Sequence, residues 1–118
     1  MKANELMIGD WIYNKNIDKP MQVYPVMFSQ MFRSNPEATT EDYNIFPIPL
    51  TTEVLEKNGF VYNAIPFVDG WEQFGLTLYR GGNGYRIDCG INVSLIIDYV
   101  HELQHALRLC SISKEIVP

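Results

Sequence analysis

Cysteine is scarce in this chain, two in 118 residues, and that scarcity removes a class of protein. Cys89 and Cys110 are too few for a disulfide-stapled scaffold, so both are expected as buried thiols behaving as small apolar side chains in a reducing compartment. No apolar run approaches the roughly 20 residues that a membrane helix needs. The few apolar residues ahead of Gly9-Asp10 are too short for a signal-peptide core, so a cytoplasmic location and no membrane partner are expected. Basic residues are also few, 9 Lys and Arg against 14 Asp and Glu for a net charge of −5, and they are scattered. Sequence-independent binding of phosphates needs clustered cations, which argues against a nucleic-acid partner.

What the chain does have is core-forming material: 47% hydrophobic and 13% aromatic residues, with no repeat and no low-complexity tract. A single α+β domain over residues 1–118 is expected. Toward the N-terminus, Leu6 to Tyr13 and Met21 to Phe28 read as strands around a turn at Asn14 to Pro20, with Pro25 confining the second to an edge or a bulge. Ser29 to Tyr43 has loop composition, and Tyr43 to Ile48 reads as a returning strand. These pieces predict a small SH3-like barrel.

The sharpest local signal is a short helix over Thr52 to Lys57. Thr51 is its N-cap, Glu53 sits in its first turn, Leu50 and Leu55 form a hydrophobic staple, and Asn58-Gly59-Phe60 spells a left-handed C-terminal cap. A strand from Phe60 to Asn63 and a loop containing Pro66 and Asp69-Gly70 follow. Then Leu76 to Arg80 and Tyr85 to Cys89 flank Gly81-Gly82-Asn83-Gly84 as a β-hairpin, and no Gly-Lys-Ser/Thr follows the glycines to make a phosphate loop. Ile96, Val100, Leu103, Leu107 and Cys110 make one stripe of an amphipathic helix over Ile96 to Cys110, and Lys114 to Val117 reads as a short final strand.

That helix contains the one string with chemical meaning, His101-Glu102-Leu103-Gln104-His105. Two histidines four apart on a helix can grip one zinc ion while the intervening glutamate activates its water, so His101 and His105 are candidate metal ligands and Glu102 a candidate catalytic base. A catalytic zinc usually takes a third protein ligand. Few residues follow His105, Arg108 and Ser111 stand where one protease class has its glycine and third histidine, and Asp98 would lie about 10 Å from His105 along the axis. Both histidines point away from the apolar stripe, so the bland alternative is a solvated polar face. On balance no catalytic residue, metal ligand or cofactor is assigned, with a zinc-dependent hydrolase kept as the alternative.

Three stretches carry a resemblance. They are Met1-Lys2-Ala3-Asn4-Glu5-Leu6 with Ile8-Gly9-Asp10-Trp11, Pro47 through Phe60, and Tyr99-Val100-His101-Glu102-Leu103-Gln104-His105. Together they resemble a family of small uncharacterised proteins from Bacteroides-type gut bacteria and their phages and mobile elements. In that family's pattern the position of Glu102 is often glutamine and that of His105 often asparagine, which implies a structural helix and brings no activity with it. The expected function is therefore a non-catalytic binding or regulatory module of prophage or mobile-element origin that contacts a protein partner or itself. Trp11, Tyr13, Tyr24, Trp71 and Tyr85 are the aromatics expected at its docking surface.

Overall fold

The computed structural model describes residues 5–27, 39–65, 68–73, 76–81, 84–88 and 94–118. It is mixed α+β, and its chain divides into two compact units, residues 1–48 with 118, and residues 49–117.

The first unit holds a three-stranded antiparallel sheet of order β2-β1-β3, formed by β1 (Trp11–Asn14), β2 (Lys19–Gln22) and β3 (Ile45–Pro47). Leu6, Ile12, Val23, Met27 and Ile45 make its core. The turn before β1 is set by backbone bonds from Gly9 N–H to the Val23 carbonyl and from Val23 N–H to the Asp10 carbonyl, with Gly9 at φ 91°. The fully buried Asp10 accepts the Met7 N–H at 2.7 Å. The strand expected from Met21 to Phe28 is shorter and earlier. Pro25, Val26 and Met27 are helical, since proline fits the first turn of a helix better than a ladder. The described strands of this unit do not close a barrel.

The second unit is built on a five-stranded antiparallel meander, β4 (Val61–Ile65), β5 (Val68–Gln73), β6 (Leu76–Gly81), β7 (Gly84–Asp88) and β8 (Ser94–Ile97), paired in that order. Register sets Trp71 opposite Leu78 and Leu78 opposite Ile87, and all three are buried. On the other face, Val61 stands opposite Glu72 and Arg86 opposite Ile96, and all four are exposed. This is the one-face-in, one-face-out pattern of antiparallel sheets. The β6–β7 hairpin is where the glycines place it, with Gly81 and Gly84 as its last paired residues, while Gly82 and Asn83 lie outside the described ones. β5 was not expected, because Asp69-Gly70 reads as a loop. Gly70 serves close approach instead, as a Cβ there would meet Thr77 Cγ2 at 3.0 Å and the Leu78 carbonyl at 3.1 Å.

Two helices complete this unit, α1 (Thr52–Lys57) and α2 (Val100–Leu109). α1 has the boundaries and caps that its sequence spells. α2 starts four residues later than the apolar stripe implied. Ile96 and Ile97 alternate exposed and buried as a strand does, and Ile96 fits the stripe because a single β-branched residue satisfies either period. Residues 110–118 contain no strand. The expectation for the cysteines also needs correcting. Cys110 is disulfide-bonded and only half-buried, and the sequence offers one other cysteine, Cys89, which lies outside the described residues.

Candidate functional site

The three residues of the zinc-like string fall on the first two turns of α2, and each is placed by the helix start. One carboxylate oxygen of Glu102 accepts the Asp98 N–H at 3.0 Å and the Tyr99 N–H at 3.1 Å. Glu102 is therefore the N3 residue of a capping box, reaching back to the N-cap Tyr99. The carboxylate that would activate a metal-bound water thus has one oxygen engaged with two main-chain donors.

His101 and His105 do come together, with ring centroids 5.6 Å apart in an edge-to-face arrangement, and Tyr99 stacks on His101 at 5.9 Å. The expected solvated face is absent on the His101 side. His101 is 3% exposed and His105 half-buried. α2 also buries Val100, Leu103, Gln104, Ala106 and Leu107, so its covered surface is far wider than one stripe. Asp98 is not on the helix at all. It precedes the N-cap, and its carboxylate lies where a Cβ on Gly84 would go. Among the described residues no three His, Cys, Asp or Glu side chains group as metal ligands. Two imidazoles beside a carboxylate committed to capping fit a hydrolytic zinc site poorly.

A second constellation was not visible in the sequence, and it uses the neighbours of that string. The buried Gln104 side chain donates from Nε2 to the Lys114 carbonyl at 2.9 Å and accepts the Ile116 N–H at 2.7 Å. The buried Asn58 side chain, at the C-cap of α1, donates to the Val117 carbonyl at 2.7 Å and accepts the Val117 N–H at 2.9 Å. It also donates to the Val54 carbonyl at 2.7 Å. Two carboxamides thus clamp the main chain of residues 114–117, and Ile116 between them is fully buried. The segment expected as a final strand has its ladder bonds made by side chains. Between Leu103 and His105, Gln104 reads from sequence as part of the polar face, and nothing there signals the clamp.

The aromatics expected at a docking surface divide. Trp71 and Tyr85 are core, packed edge-to-face at 5.7 Å, and Tyr62 tilts against Trp71 at 5.1 Å. Trp11 and Tyr13 are partly covered, while Tyr24 is exposed beside Val26. Among the described residues no helix is long and apolar enough to cross a membrane. No protein-family model matches the sequence, no curated protein matches it, and no solved structure matches it.

Proposed function

We propose that this chain is a non-catalytic binding or regulatory module that acts through contact with a protein partner or with another copy of itself. The observation that carries the reading is the double engagement of the Glu102 carboxylate with the Asp98 and Tyr99 N–H groups. Within the His101–His105 string, the one residue able to act as a zinc-site base already serves the helix start. Exposed apolar side chains on the open sheet face, Val61 and Ile96, supply contact area of the kind such a module uses. Prophage or mobile-element origin and an SH3-like N-terminal segment belong to the same proposal. What supports the latter is the three-stranded antiparallel β2-β1-β3 sheet over its small core. A cytoplasmic setting is part of the reading too, and it carries a condition: there the bond at Cys110 would be reduced to a thiol.

The test separates capping from catalysis. Glutamine can occupy N3 of a capping box, so Glu102→Gln should retain nearly full stability, whereas Glu102→Ala should lose about 1 kcal/mol. Elemental analysis of protein purified without added metal should find zinc well below one equivalent, and a chelator should leave the thermal midpoint unchanged. Stoichiometric zinc with a chelator-sensitive midpoint would overturn the reading in favour of the hydrolase built on His101, Glu102 and His105.

A further inference from the structure

We propose that residues 112–117 are an exchangeable strap, and that the Asn58–Gln104 clamp accepts the same segment from a second copy of this chain. The inference rests on the contact-module reading and names its partner. The clamp hydrogen-bonds to the strap through main-chain atoms, namely the Lys114 carbonyl, the Ile116 N–H and both polar groups of Val117. Ile116 is the single fully buried side chain of the strap, and Ser113, Glu115 and Val117 are exposed. A second copy carries all of these features. Contacts made within one chain and contacts made between two are therefore identical, and the balance between them is decided at the hinge.

The hinge is Ser111, which holds a left-handed conformation at φ 59°. α2 ends there in a Schellman motif, with Ser111 N–H bonded to the Arg108 carbonyl at 3.0 Å and Ile112 N–H to the Leu107 carbonyl at 2.8 Å. Glycine normally fills that position, because a Cβ disfavours it. Opening the hinge relieves the serine and releases the Ser111 N–H and the Arg108 carbonyl at exposed residues where water can serve them, together with the Ile112 N–H and the Leu107 carbonyl. A short strained hinge is the recognised circumstance for segment exchange. An empty clamp, by contrast, would leave two buried carboxamides without their partners. A strap that leaves one copy is therefore replaced by the strap of another, and mutual exchange closes a two-fold dimer.

The experiment measures the mass of the full chain in solution across a wide concentration range, with the hinge changed in opposite senses. Ser111→Gly favours the left-handed hinge and should shift the equilibrium toward monomer by about two- to five-fold per hinge. Ser111→Pro cannot adopt a positive φ and should raise the dimer fraction. Mixing Ile116→Ala with Gln104→Ala should produce a heterodimer beyond what either forms alone, because exchange restores one intact strap in one intact clamp. Monomer at every concentration for both the parent and Ser111→Pro, or a shift of both hinge variants in the same direction, would overturn exchange. Those results would leave the broader contact-module reading standing, since zinc content and the Glu102 variants decide that separately.

Discussion

The two helices of the second unit meet the same end problem with different residues. α1 closes with Phe60 N–H on the Leu55 carbonyl at 3.0 Å and Gly59 N–H on the Glu56 carbonyl at 3.1 Å. α2 closes with the matching pair at Ile112 and Ser111. The left-handed position is glycine in the first and serine in the second. At the N-terminal ends the direction of help reverses. Thr51 reaches forward to the Val54 N–H at 3.3 Å, whereas Glu102 reaches back to Asp98 and Tyr99. Each helix then lends one carboxamide to the strap. The comparison teaches that a residue type with catalytic meaning in a string can be accounted for by the bookkeeping of helix ends.

The largest change should come from the point both helices share. Ile116→Ala removes the fully buried anchor and should cost about 2–5 kcal/mol, read by denaturant unfolding. Next, the arms can be compared. Gln104→Ala strands the Ile116 N–H and the Lys114 carbonyl, and Asn58→Ala strands both polar groups of Val117, so each should cost about 1–3 kcal/mol. Because both act on one strap, the double variant should lose less than the sum of the single losses. Smaller and opposite in sign are the helix ends. Gly59→Ala, at φ 90°, should destabilise by about 1 kcal/mol, whereas Ser111→Gly should stabilise by about 0.5–1 kcal/mol. Equal responses at the two ends would break the comparison.

The smallest effect belongs to α1 alone. Glu53 is held below the ordinary carboxylate value of 4.5, chiefly by the hydrogen bond from its own backbone N–H and next by the Thr51 hydroxyl, against a weaker opposing effect of burial. A carboxylate whose folded value is lowered contributes stability above its unfolded value and loses it as pH falls through the folded one. Glu53→Gln should therefore slightly flatten the acid limb of stability against pH, and a steeper limb would contradict the assignment.

How far the sequence could be read follows from where each determinant lies. α1 was legible to the residue, because Leu50, Thr51, Gly59 and Phe60 all lie within a few positions of the helix they bound. The β6–β7 hairpin was legible for the same reason. The start of α2 was not, since Ile96 satisfies a helical stripe and a strand equally, and it is the pairing of Ile96 with Arg86 and of Ile97 with Tyr85 that decides. β5 was hidden by Gly70, whose purpose appears only when Thr77 and Leu78 are its neighbours. In the candidate site, the adjacency of His101 and His105 was predictable from their spacing. The roles of Asn58 and Gln104 were not, because their partners are backbone atoms 59 and 10 to 12 residues away. Backbone partners leave no trace in residue type.

The Asn58 clamp also bears on how the molecule ages. An asparagine followed by glycine is the arrangement in which the next backbone nitrogen can attack the side-chain amide and expel ammonia, because the glycine offers no side chain to obstruct it. Here the Gly59 N–H is held on the Glu56 carbonyl and the Asn58 amide on Val117 and Val54. Both reactants are thus engaged in other bonds while the strap is seated. Conversion of that amide to an acid would set a negative charge against the Val117 carbonyl, where a donor now stands. The strap therefore guards the chemical identity of the residue that holds it, and the two fail together.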